Sequence, residues 1–401
     1  MFASTYRILA VLVVAIAVVV GGTFGVQRLF SAPPGLTGTS RAESGPVGPG
    51  LDIAALLEDA ADDFPPAEGA WSYRFPADHG AHSDYHSESW SFSGQLHAVD
   101  DPERRFAFQL LVLRLALSPK APQSPSAWAT REIYRAHFAI TDQAEGQMQA
   151  FERFSRAALG LAGAEPDPPR VWVEHWEVAV DPQSDATAFH LTAHQQDTGL
   201  ELTLTAAKPP VYDDGTGSGE GLGGLYGYAF PRLKVMGTLT LEGQGVAVAG
   251  EGWLDRSWGA LPLNRSQVAT DRFLLQLDDG RELSLIQFHR RDGSGIPRTT
   301  GVLIDAQGSV ELLRSQDVKL IKDGRFQSAI DGAVYPARWQ LTLPYRDLSL
   351  AVTPLVADQE LDLSLRYWSG AVTVEGHLGE APIGGTGHVQ LTGYSSDPLA
   401  L

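Results

Sequence analysis

Asp255 is the residue best placed by type to do chemistry. It sits in Gly-Trp-Leu-Asp-Arg-Ser-Trp-Gly at positions 252–259. On a strand entering an apolar barrel, its charged form would be disfavoured. Its pKa would rise, leaving a proton donor near neutral pH. Arg256, the next residue, would oppose this by pairing with it, and a purely structural Asp–Arg or Asp–backbone pair is the alternative reading. A second group comprises Asp78, His79, His82, Asp84, His86 and Glu88. In a helix the three histidines would share a face, as a metal site requires. Pro76 and Gly80 favour a loop entering a strand instead. The spacing is irregular for metal ligation, so neither a metal nor a cofactor is expected. The better reading is a hydrogen-bonded plug in a barrel mouth, with Asp78 accepting backbone N–H bonds. His79 and His82 also stand as ligand-contact candidates. The third group is aromatic. Trp90, Trp253, Trp258, Tyr367 and Trp368 carry flat rings that suit a pocket for an extended apolar ligand, and equally suit a packed core.

These residues need strands to position them. From Trp71 onward the hydrophobic pattern has period two. Residues 171–180 alternate as one strand, with Val171, Val173, His175 and Glu177 on one face and Trp172, Glu174, Trp176 and Val178 on the other. Further short strands fall at 201–205, 273–277, 282–288 and 338–343, separated by Asp-Gly turns. Helical candidates are few: a turn within 123–134 and a short helix at 151–161. Many short strands and frequent turns predict an all-β sandwich or barrel. The Pro- and Gly-rich stretch 209–224 predicts a boundary, giving one domain over 64–225 and another over 226–401.

Residues 8–20 form an unbroken apolar run, extended without charge to 26 and flanked by Arg7 and Arg28. A signal core needs ~7–15 such residues and a spanning helix about 20. No convincing small-residue cleavage site follows, so residues 1–30 are expected to be an uncleaved anchor in the inner membrane, the alternative being a cleaved signal that releases the body to the periplasm. Residues 31–50 read as a flexible Pro/Gly/Ser linker and 51–63 as a short helix. The formal net charge of -18 argues against nucleic acid as a partner. With no cysteine, thiol catalysis, disulfides and a lipoprotein anchor are excluded. Neither a nucleophile elbow nor a phosphate-binding glycine loop is present.

Several segments resemble a known family in order and wording. They include FPADHGAHSDYHSESWSFSGQL at 75–96, HFAITD at 137–142, ERFSRAALGLAG at 152–163 and KPPV at 208–211. GWLDRSWG at 252–259, FLLQLDDGR at 273–281, DQELDLSLRYWSGAV at 358–372 and GTGHVQLTGY at 385–394 continue the series. Together they resemble the AttH/carotenoid 1,2-hydratase (CrtC-like) lipocalin-related family. That resemblance implies two tandem lipocalin-like antiparallel β-barrels. It implies two functions. One is a periplasmic AttH-type protein binding a hydrophobic or lipidic ligand, accessory to an ABC transporter with an FtsX-like permease. The other is a hydratase in which Asp255 protonates a polyene C=C and water captures the cation. Relatives carry Glu where Ser257, Ser369 and Gln390 stand here. The loss of three carboxylates weakens the acid chemistry and favours the binding protein.

Overall fold

The computed structural model describes residues 63–120, 124–181, 187–213, 225–259 and 268–395. The expected anchor, linker and short helix at 1–62 lie outside the described residues. Among the described residues no helix is long and apolar enough to cross a membrane.

The chain is all-β and lipocalin-like, built from two curled antiparallel sheets. The first contains β1 (Ser87–Ala98), β2 (Arg105–Ala116), β3 (Glu132–Asp142), β4 (Gln147–Arg156), β5 (Ala162–Pro166) and β6 (Pro169–Val173). It continues with β7 (Trp176–Val180), β8 (Ala188–Gln195), β9 (Thr198–Ala206), β10 (Val211–Asp213), β11 (Leu225–Leu241) and β12 (Gln244–Gly259). Its order is β4-β3-β2-β1-β12-β11-β9-β8-β7-β6-β5, with β10 on β11. The edges β4 and β5 approach without a ladder. There Arg153 on β4 pairs with Glu174 and lies over the Trp176 ring at 4.8 Å. This sheet is therefore nearly a barrel.

The second sheet contains β13 (Val268–Leu277), β14 (Glu282–Arg290), β15 (Arg298–Ile304), β16 (Val310–Arg314) and β17 (Lys319–Gln327). Then come β18 (Val334–Leu343), β19 (Leu348–Pro354), β20 (Glu360–Asp362), β21 (Arg366–Leu378) and β22 (Ala381–Thr392). Its order is β16-β15-β14-β13-β22-β21-β19-β18-β17, with β20 on β21, an open half-barrel.

The boundary expected at 225/226 does not separate the sheets. β11 and β12 complete the first sheet, because β12 pairs with β1 along Ser87↔Gly259 to Ala98↔Val248. The first sheet ends at Gly259. Two local expectations also change. Residues 171–180 form the β6–β7 hairpin, with Val173 opposite Trp176 and Glu174 in the left-handed region at φ 59. The two turn residues reverse the parity, so Val171, Val173, Trp176 and Val178 share the core. The helix expected at 151–161 begins as strand: Phe151 to Arg156 pair with β3, and Phe151 packs on the first core.

Core placement follows from alternation. On β1, Trp90, Phe92 and Leu96 point into the first sheet's interior, while Ser87, Ser89, Ser91, Ser93 and Gln95 occupy the other face. On β2, Phe106, Phe108, Leu110 and Val112 point inward while Leu111 and Leu113 meet Leu361, Leu365 and Tyr367 of the second sheet. A strand covered on both faces reads as a near-continuous apolar run. Glutamines fasten the sheets together. Gln95 Nε2 donates to the carbonyls of Val372 (2.7 Å) and Gly387 (2.9 Å), and Gln276 Nε2 to those of Pro231 (2.8 Å) and Gly252 (3.0 Å).

Candidate functional site

Three charged constellations emerge, at different levels of the molecule. The first closes one end of the first barrel. The segment 74–86 turns through a short 3-10 helix at Ala77–His79 and enters β1. Arg74 N–H donates to Asp78 Oδ2, and the Trp71 indole N–H does so at 3.3 Å. Glu88 on β1 has no exposed side-chain surface. It accepts the His82 backbone N–H at 2.9 Å and Arg114 Nε at 2.9 Å, and it pairs with Arg256 Nη2. His82 Nδ1 lies 2.7 Å from Glu88 and its Nε2 lies 3.2 Å from Asp78. The His82 ring stacks on Trp258, centroids 3.8 Å apart and planes nearly parallel. Arg256 lies 3.9 Å above the Trp90 ring, and the Trp90 indole donates to the His79 carbonyl at 2.9 Å. His79 Nδ1 meets the Tyr228 hydroxyl at 2.6 Å. Burial would raise the Glu88 carboxyl, but Arg256, Arg114 and His82 outweigh it and hold it well below the ordinary range. Burial, aided by Arg256, lowers His79 to about 3, so it stays neutral. Packing is tight: a Cβ on Gly80 would meet Pro166 Cα at 2.4 Å. This is a tightly packed plug in which the buried Glu88 carboxylate is answered by Arg114, Arg256 and His82.

The second constellation lies between the sheets. Asp255 occupies the outer face of β12, opposite in direction to Arg256. Its carboxylate meets Arg272 of β13 at 2.7 Å and accepts the Trp253 indole N–H at 3.1 Å. Burial pushes the Asp255 carboxyl up, and Arg272 and Trp253 pull against that. Nearby, the Ser369 hydroxyl bonds Gln109 Oε1 (2.9 Å) and meets His388 Nε2 (2.8 Å). Burial, then Arg272, lowers His388 to about 3. A crevice lined in part by Arg272, Tyr367, Ser369, His388 and Gln390 holds about 30 Å³ of free space. That is room for a water or two.

The third constellation stands at the open end of the second sheet. Asp271 on β13 is fully buried beneath Lys322 Nζ (2.7 Å), His289 Nε2 (3.0 Å) and the Tyr394 hydroxyl (2.6 Å). Lys322 comes from the edge strand β17, so this pair ties the open edge of the half-barrel to β13. Above it opens a cleft of about 650 Å³, with Val334, Tyr335 and Pro336 on one wall.

The AttH-like family model matches residues 66–394, almost every described residue. This chain belongs to the AttH-like family. The structure of an AttH from Nitrosomonas europaea superposes with a TM-score of 0.72 at 28% identity, covering 83% of this chain and 100% of that one. Kievitone hydratase from Nectria haematococca shares the fold, with a TM-score of 0.59 at 16% identity over 84% of this chain and 99% of its own. CghA shares it more distantly, with a TM-score of 0.51 at 13% identity over 82% and 94% of the two chains. No curated protein matches the sequence.

Within this AttH-like chain the residues singled out from sequence fall into separate places. His79, His82, Trp90, Arg256 and Trp258 meet in the plug. Asp255 and Arg256 do not pair, because neighbours on a strand face opposite ways; their partners are Arg272 and Glu88. The three tryptophans grouped as one pocket are dispersed. Trp258 is in the first core, Trp253 is in the inter-sheet cluster with Leu274 and Ile286, and Trp368 is in the second core. Tyr367 faces the first sheet, its hydroxyl 2.8 Å from His137 Nδ1. Arg272, His388, Asp271 and Lys322 were not singled out. Each sits on a strand, and only the packing of separate strands brings it to its partner.

Proposed function

We propose that this AttH-like protein binds a lipidic small molecule and does not hydrate one. The observation carrying this reading is a contrast of space. About 650 Å³ is open at the end of the second sheet, against about 30 Å³ beside Asp255. Ligand pockets run to roughly 300–1,000 Å³. The carboxyl best suited to acid chemistry is held by Arg272, and neutral Ser369 and Gln390 line the crevice next to it. In this reading residues 1–30 anchor the protein in the inner membrane, the barrels face the periplasm, and the protein hands its ligand to an ABC-type permease. The apolar run at 8–20 supports the anchor.

The test is native mass spectrometry of the purified full chain, followed by titration of delipidated protein with short-chain amphiphiles. Retained lipid and saturable binding are expected, unchanged in Asp255→Asn. A chain that binds no amphiphile refutes the reading. The hydratase alternative draws on the upward push on the Asp255 carboxyl by burial. It requires that the wild type add the mass of water to a polyene and that Asp255→Asn not do so.

A further inference from the structure

The charge around the second-sheet cleft is opposite to that of the chain. The protein has 48 acidic and 30 basic residues. Yet the cleft is lined by Arg290, Arg291, Lys322 and Arg325, together with His289, and by no acidic side chain. The cations come from separate places: the end of β14 and its following turn supply Arg290 and Arg291, and the edge strand β17 supplies Lys322 and Arg325. Gly324, at φ 68, interrupts the alternation of β17, and Lys322 and Arg325 on either side of it both line the cleft.

The neighbouring acids lie outside the lining of the cleft. Asp271, beneath the floor, answers Lys322. Asp292 accepts the Ser294 N–H at 2.8 Å, and Asp331 accepts the Ser395 hydroxyl at 2.7 Å and pairs with Arg366 at 3.2 Å. Asp323 takes the Gly324 N–H at 2.8 Å. Arg291 is used by the fold, donating to the Ser395 carbonyl. Arg290 and Arg325 are exposed and neither forms a close ion pair among the described residues, with Asp292 attracting Arg290 only at longer range. Gathering like charges in one concavity raises their mutual repulsion, and concave walls focus the resulting field. An anion resolves that repulsion, and guanidinium groups match carboxylate and phosphate oxygens in geometry.

We infer that this cleft is an anion site. It takes the phosphate or carboxylate group of its ligand between Arg290 and Arg325, with exposed Val334 against the adjoining apolar part. The inference rests on the binding reading above and specifies the ligand's charged end. The experiment is calorimetric titration of the full chain with octyl phosphate, octyl glucoside and inorganic phosphate, in wild type and in Arg290→Gln/Arg325→Gln. Both arginines are exposed, so the variant should unfold at the wild-type midpoint, which is measured alongside. Octyl phosphate should bind about tenfold or more tightly than octyl glucoside, and the variant should lose about that factor for octyl phosphate alone. Added salt should weaken the same interaction. Inorganic phosphate binding as tightly as octyl phosphate would support a site for the free anion; weaker binding would support an amphiphile headgroup. Equal binding of glucoside and phosphate, unaltered in the variant, overturns the anion site while leaving lipid binding intact. Failure of all three probes overturns both.

Discussion

Glu88 shows how a buried charge becomes structural. Its carboxylate is inaccessible, and it joins two strands and a loop through Arg114, Arg256 and His82. Removing one partner from such a group leaves the other charges buried and unanswered, which costs about 3–5 kcal/mol. Glu88→Gln should therefore lower the unfolding free energy read from urea melts by an amount of that order, with the native fold retained at low denaturant. A variant as stable as wild type would show that the plug carries no load. Asp255→Asn tests the other buried pair. With Arg272 left uncompensated, stability should fall by several kcal/mol while amphiphile binding in the distant cleft is unchanged. If binding is lost in protein that is still folded, the crevice and the cleft are one site. The sequence pointed to both carboxylates, Asp255 from its place on a strand entering a barrel and Glu88 as a member of the histidine and carboxylate cluster at 78–88. It did not reveal their partners. Arg256 is adjacent to Asp255 in the chain yet faces the opposite side of β12, and Arg272 lies on another sheet.

The elements were legible in kind and less so in extent. Period-two patterning identified the β class, since it persists through β1, β8 and β9. It misassigned 171–180 because the β6–β7 turn uses Glu174 and His175, neither a usual turn signal, and Glu174 accepts the left-handed conformation. Sheet membership was illegible for a different reason. The ladder between β1 and β12 joins residues 150 or more positions apart, and no local pattern specifies such a pairing. The Pro/Gly-rich stretch at 209–224 falls between strands of one sheet, since β10 within it and β11 after it both belong to the first. Strain at other turns makes an element-scale expectation. Leu159 holds φ 54 and is exposed in the turn after β4. Leu159→Gly relieves the unfavourable backbone without removing core, so chemical denaturation should show a gain of about 0.5–1 kcal/mol. A loss would mean the leucine side chain contributes more than its backbone costs.

For the whole molecule, the barrels bury several histidines in neutral form. Burial lowers His79 and His388 to about 3 and His86, with help from Arg114, to about 4. His86 is inaccessible, packs on Phe64 and has no hydrogen-bond partner at either ring nitrogen among the described residues. A histidine near 6.5 in the unfolded chain and about 4 in the fold takes its proton first in the unfolded state. Its contribution is complete above about pH 6.5 and is lost as pH falls toward 4, where it levels off. Carboxylates held low, Glu88 and Glu152 among them, add a further loss only below the ordinary carboxylate range. Acid sensitivity should therefore begin above pH 5, while the chain is still strongly negative and protonation would otherwise relieve its self-repulsion. His86→Leu isolates one such group. Between pH 7.5 and 5 the variant should gain about 2 kcal/mol on wild type, a figure that follows from the displacement of a single titration. Urea melts of both proteins at the two pH values measure that gain. Parallel stability loss would show that His86 titrates alike in both states and that the acid limb arises elsewhere.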